Sequence, residues 1–119
     1  MKNFRDLKVW EKAHLLALAI YRVTSGFPKD ELYGLTSQMR RSAASIPTNI
    51  AEGCGRGGDA EFARFAQIAM GSASELEYQI LLAHDLKLLT DENHEQLANN
   101  VTEVKRMLTA LIQKLKADR

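Results

Sequence analysis

Apolar side chains recur at intervals of three and four along nearly the whole sequence, and no stretch alternates as a half-buried strand would. From Asp6 to Ser25 the positions Leu7, Trp10, Ala13, Ala17, Ile20 and Tyr21 share one helical face, and Gly26 with Pro28 supplies a stop. A second pattern starts among Lys29, Asp30 and Glu31, acids suited to a helix N-terminus, and runs through Leu32, Leu35, Met39, Ala43, Ile46 and Ile50 to Gly53. Asp59 is a candidate N-cap for a third helix carrying Phe62, Phe65, Ala69, Ala73, Leu76, Ile80 and Ala83, with a stop expected near Leu88. Thr90 can cap a fourth, in which Leu97, Val101, Val104, Leu108, Leu111 and Leu115 follow a heptad seam. The predicted helices cover 6–25, 30–53, 59–88 and 91–117; short turns between them make neighbours antiparallel. The expected fold is all-α, a single up-down-up-down four-helix bundle domain over residues 1–119.

Helix one carries more apolar surface than a lone bundle needs. Between Ala13 and Tyr21 almost no polar face remains, whereas one stripe is enough to cover a core. The surplus predicts a covering chain, and hence a homo-oligomer. Length is compatible with a core held without staples, since a 119-residue chain buries roughly two-thirds of its unfolded surface. The single cysteine, Cys54, excludes an internal disulfide and fits a reducing compartment. The charged opening segment is expected to carry no signal peptide, and the longest apolar run falls well short of the ~20 residues that span a bilayer. A cytoplasmic protein without a membrane partner is expected.

Several segments imitate known chemistry. Gly53-Cys54-Gly55-Arg56-Gly57-Gly58 fits the spacing of a dinucleotide loop, but it follows a helix rather than a strand, and no Lys-Ser or Lys-Thr follows. It reads as a turn whose glycines supply positive φ, with Cys54 inert for want of a placed base. Glu11-Lys12-Ala13-His14 and Asp91-Glu92-Asn93-His94 resemble di-iron ligand sets, yet an up-down topology sets His14 and His94 near opposite ends, ~20 Å or more apart. No metal or cofactor is expected.

Two polar groups interrupt the helical pattern: Ser45 to Gly53, which contains Pro47, and Gly71 to Glu75. Proline inside a helix costs ~3 kcal/mol and glycine ~1 kcal/mol, so something must offset them. A structural reading puts a kink at Pro47, close helix contact at Gly71 and Ala44, and a polar network among Asn49, Ser72 and Glu75. A functional reading gathers Asn49, Glu52 and Glu75 into a site, although Glu52 and Glu75 are separated by ~24 Å along the bundle.

The net charge is only +1, but the topology gathers the chain's cations. The start of helix one, the turn between helices two and three and the end of helix four share one end, with a total near +5 against about −4 elsewhere. Candidate phosphate contacts are Lys2, Arg5, Lys8, Lys12, Arg56, Lys105, Arg106, Lys114 and Lys116. Alternatively, cations late in helix four simply complement its dipole. Arg40 and Arg41, flanking the Met39 and Ala43 seam, suit intersubunit salt bridges or the lining of a channel.

Phe4-Arg5-Asp6-Leu7-Lys8-Val9-Trp10, Phe27 to Thr36, Gln38-Met39-Arg40-Arg41, Ser45-Ile46-Pro47-Thr48-Asn49-Ile50-Ala51-Glu52-Gly53 and Ala69-Met70-Gly71-Ser72 with Glu75 resemble the four-helix bundle family of 23S ribosomal RNA intervening-sequence proteins. The resemblance reaches from the start to about Leu89. It implies a homopentameric, barrel-like assembly without known catalytic activity, and gives Trp10, Arg40, Arg41, Pro47, Asn49, Glu52, Gly53, Gly71, Ser72 and Glu75 roles in structure or assembly. Related bundle proteins accompany reverse transcriptases in diversity-generating retroelements, where a strongly basic pentamer engages nucleic acid; the present chain departs from that charge. The expected function is therefore a non-enzymatic oligomeric bundle associated with RNA or a nucleoprotein through its basic end. The alternative is a protein-binding scaffold whose charges serve solubility.

Overall fold

The computed structural model describes residues 3–117, which form four long helices: α1 Lys8–Thr24, α2 Ser37–Cys54, α3 Asp59–Asp85 and α4 Asp91–Ala117. Both α1 and α3 pack against α2 and α4, so α1 and α3 are diagonal across an antiparallel bundle 46 Å long and 22 × 20 Å in section. Among the described residues there is no strand. Along the axis lie the fully buried Leu16, Ile20, Met39, Ile46, Ile50, Leu76, Ile80, Val101, Val104 and Leu108. Each such side chain contributes ~1.5–3 kcal/mol by leaving water, which is why the helical spacing alone predicts most of them. The fourth helix departs from a strict heptad: Ile112 rather than Leu111 is buried after Leu108, as 3.6 residues per turn drift from a 3.5-residue seam. In α1, Val9 and Leu16 join the core while Tyr21 stays 45% exposed.

Small residues set the spacing of α2 and α3. Ala43 and Gly53 are buried on α2, and Ala63, Ala66, Ala69 and Ala73 on α3. A Cβ placed on Gly53 would lie 2.7 Å from Phe65 Cβ and 3.0 Å from a ring carbon of Phe62, so the end of α2 touches the first turns of α3 with no room for a methyl group. Above this contact Ser45 Oγ lies 2.9 Å from Ser72 Oγ, and Asn49 Nδ2 donates to Ser45 O at 2.8 Å and to Ser45 Oγ at 3.0 Å.

Helix ends account for the main differences from the sequence pattern. A 3-10 turn, Phe4–Asp6, precedes α1, with the Asn3 side chain accepting from Arg5 N at 3.0 Å. The segment expected to open helix two is a 3-10 turn at Lys29–Glu31 followed by one π-type turn, Leu32–Thr36, in which Gly34 leaves helical geometry at φ −111° and ψ −112°. The break in this region thus falls at Gly34, and α2 runs on through buried Pro47. Thr48 Oγ1 donates to Ala44 O at 2.8 Å beside the Asn49 bond, giving the carbonyls around the proline turn extra donors. Leu32 is exposed as a result. Gly58, with extended backbone, is the N-cap of α3, and Asp59 is its first helical residue. Of the turn glycines only Gly57 has positive φ, 87°. Thr90 caps α4 as its hydroxyl accepts from Asn93 N at 3.0 Å.

The third helix stops three residues early. Lys87 takes the left-handed conformation at φ 64°, and Leu88 N donates to Ala83 O while Lys87 N donates to His84 O, both at 2.9 Å. This is a Schellman closure with lysine in the place glycine usually takes. Beyond it His84 Nε2 lies 2.8 Å from Asp91 Oδ1, and that hydrogen bond holds the Asp91 carboxyl below its ordinary pKa.

Gly53→Ala gains up to ~1 kcal/mol of helix propensity but overpacks the Phe65 contact by ~1–3 kcal/mol. The expected result is a chain about 1–2 kcal/mol less stable in urea denaturation; a chain stabilised by the ~1 kcal/mol of helix propensity would show that α2 and α3 are not in this contact. Lys87→Gly removes left-handed strain, partly offset by the freer unfolded glycine, and is expected to stabilise by about 0.5–1 kcal/mol in the same measurement.

Candidate functional site

The bundle does bring the start of α1, the α2–α3 turn and the end of α4 together. Leu7, Gly53, Gly57, Gly58, Leu111 and Lys114 line one cavity of about 350 Å³ at this end. Here stand Arg5, Lys8, Arg56, Arg64, Lys114 and Lys116, against Asp6, Glu52, Asp59 and Glu61. Six cations facing four carboxylates leave a smaller surplus than the sequence total. Lys2 lies outside the described residues, as do Asp118 and Arg119, which entered that total.

Ion pairs divide the predicted phosphate contacts. Arg56 Nη2 is 2.7 Å from Glu52 Oε2, with its guanidinium 4.9 Å from the centre of the Phe65 ring. Arg64 holds Glu61 through two bonds of 3.0 and 3.2 Å, which lower the Glu61 carboxyl's pKa and raise that of Arg64. Lys12 is 3.7 Å from Glu103 and Lys105 is 2.8 Å from Glu77. Lys105 and Arg106 also sit eleven or twelve residues before Ala117, about 17–18 Å up α4, at mid-height and away from the basic end. Among the described residues Arg5, Lys8, Lys114 and Lys116 remain at that end without an acidic partner; Arg5 instead lies 4.5 Å over the Phe4 ring.

The motif residues separate by role. Trp10 is half-buried between Phe4, edge-on at 4.9 Å, and His14, stacked at 4.9 Å. Arg40 ties α2 to the end of α1: Nε donates to Thr24 Oγ1 at 2.9 Å, Nη2 donates to Tyr21 O at 3.2 Å, and the guanidinium covers the Tyr21 ring. Pro47 and Gly53 belong to the core, and Asn49 and Ser72 to the serine network. Glu75 is outside that network, contrary to the sequence expectation, because it lies on the exposed side of α3. Glu52, engaged by Arg56 at the base, does not converge with it. Gly71 makes no close helix contact either; a Cβ there meets nothing within 4 Å, so the ~1 kcal/mol cost of a mid-helix glycine has no offset inside the chain. Arg41 is exposed and, like Glu75, forms no ion pair among the described residues.

Two exposed apolar surfaces complete the picture. On α1 they are Leu15, Leu18 and Tyr21, continued by Leu32 and the 94% exposed Tyr33; on α3 they are Ile68, Tyr78 and Leu81. The first was legible from the all-round apolar character of helix one. The second was signalled only by apolar residues off the α3 core stripe, and was missed. His14 stacks on Trp10 near the start of α1 whereas His94 stacks on His84 at 3.9 Å beside the α3–α4 turn, so the two lie toward opposite ends. Among the described residues no group of three His, Cys, Asp or Glu side chains is arranged to hold a metal, and no helix is long and apolar enough to cross a membrane.

No curated protein matches the chain. A crystal structure from Bacteroides thetaiotaomicron, of a protein of unknown function from the S23 ribosomal protein family, is similar with a TM-score of 0.82 at 27% identity, covering 88% of this chain and 95% of its own. The sequence model of the 23S rRNA-intervening sequence proteins matches residues 5–110, a span that includes α1 to α3 and α4 as far as Ala110, together with the Arg40, Asn49, Gly53 and Gly71 positions described above. By that match the chain belongs to the 23S rRNA-intervening sequence protein family.

Proposed function

We propose that this chain is a non-enzymatic, cytoplasmic bundle that self-associates into a homopentameric ring and holds RNA, alone or within a nucleoprotein, through its basic end. The observation that carries the RNA reading is the set of four cations that have no acidic partner among the described residues, Arg5, Lys8, Lys114 and Lys116, around one end of the bundle. Subunits arranged in parallel would bring these ends to one face, where their fields add against a phosphate backbone. The pentamer rests on the family resemblance, and self-association on the exposed apolar surface of α1. Against an enzyme, Glu52 and Glu75 stand apart, Cys54 is buried, and among the described residues no nucleophile and base converge. A reducing, cytoplasmic setting agrees with the single cysteine.

A second reading, a protein-binding scaffold without nucleic-acid affinity, draws on the modest charge surplus at the basic end. Salt dependence separates the two. In light scattering after size exclusion, the RNA reading predicts an assembly that binds a labelled single-stranded RNA at low salt and releases it at high salt. Each lost phosphate contact flattens the plot of log affinity against log salt by about 0.7, so Lys114→Glu with Lys116→Glu is expected to remove about 1.4 per engaged subunit. An assembly indifferent to RNA at low salt favours the scaffold, and a monomer at all concentrations sinks the ring.

A further inference from the structure

The bundle carries two apolar surfaces, and they lie on diagonal helices. Leu15, Leu18 and Tyr21 are exposed on α1, and Ile68, Tyr78 and Leu81 on α3, while each of these helices packs inward on α2 and α4. The two surfaces therefore face away from each other, and one two-fold contact covers only one of them. A head-to-tail contact, in which the α1 side of one copy meets the α3 side of the next, covers both with a single interface and closes into a ring when the rotation permits.

The unpaired polar groups agree with that arrangement. Ser45 and Ser72 meet at 2.9 Å, which fixes the level of α2 against α3. One turn from Ser45 stands Arg41, and one turn from Ser72, in the opposite chain direction and hence toward the same end, stands Glu75. Arg41 and Glu75 are thus level with each other, both exposed and neither in an ion pair among the described residues. In a ring whose axis runs along the bundle every residue keeps its height, so a cation and a carboxylate at one level on different faces can meet across the joint. Gly71, beside Ser72, is at the height of the serine pair, one turn (~6 Å) below Arg41 and Glu75, as is Leu18, which shares a groove with Ala44 next to Ser45. The open space over Gly71 admits a side chain from outside the protomer, and that contact is what the glycine lacks within the chain.

We propose that the outer face of α3 around Gly71 is the seat of a second copy of this chain, which presents its α1–α2 face so that Leu18 lies over Gly71 and Arg41 pairs with Glu75 of its neighbour. This names the contact within the self-association proposed above and rests on it. The wild-type mass from light scattering tests self-association; a monomer at every concentration overturns both. Where the wild type assembles, variants decide the contact. Gly71→Trp, at a site open on the isolated protomer, is expected to retain helical circular dichroism while raising the midpoint concentration for assembly at least tenfold. Arg41→Glu and Glu75→Arg are each expected to dissociate, and the double variant carrying both reversals in one chain to reassemble, because every joint of its ring again pairs opposite charges whatever the number of subunits. If the wild type assembles and Gly71→Trp leaves its mass unchanged, or the double charge reversal does not reassemble, this contact is wrong while self-association stands.

Discussion

The close approach of α2 and α3 governs the rest of the molecule. Gly53 has no space for a Cβ against Phe65, and the buried alanines of both helices allow the same short distance further along. Contact this tight leaves little freedom for one helix to slide on the other, since a shift by one residue would drive a Cβ into a neighbouring backbone or side chain. The Ser45–Ser72 hydrogen bond marks the resulting register. From that register follow the level placement of Arg41 and Glu75 and the convergence of the α2–α3 turn with the start of α1 and the end of α4 at one pole.

Electrostatics acts here mainly by subtraction. The pairs Arg56–Glu52, Arg64–Glu61, Lys12–Glu103 and Lys105–Glu77 lie at the surface, where such contacts stabilise by ~0–1 kcal/mol each. Their larger consequence is for the field outside the protein, because a cation held beside a carboxylate presents little net charge beyond a Debye length of ~8 Å. The basic pole is thus narrower than a count of lysines and arginines indicates. It is carried by residues at the chain's outer turns, whereas Lys105 and Arg106 flank the middle of α4. Arg40 shows the contrasting case, in which a guanidinium is spent on carbonyl, hydroxyl and ring partners at the end of α1 and serves the joint between two helices.

The places where sequence and structure part are helix ends and helix flanks. Leu32 obeys the apolar spacing of helix two but is exposed, because a π-type turn and the departure of Gly34 from helical angles rotate the segment before α2 begins. Lys87 ends α3 in a conformation that lysine enters only under constraint, and nothing in its identity announces this. The polar network was half legible: Asn49 and Ser72 join through Ser45, while Glu75, three residues from Ser72, falls on the exposed side. At Gly71 the expectation of a close helix contact fails inside the chain, since the glycine faces open space.

By itself the sequence determined four helices, their order and their antiparallel neighbours, and most of the core, from Ala13 and Ile20 through Ile46, Leu76 and Val104. These follow from hydrophobic periodicity, a local property read within a few turns. Its family motif is likewise written in adjacent residues, and the family match spans 5–110. Only the tertiary structure decided which cations keep their charge unpaired, which apolar residues stay outside, and where Arg41, Gly71 and Glu75 stand in height. Those depend on the rotation and register of packed helices, set by contacts such as Gly53 with Phe65 between residues that periodicity treats as independent.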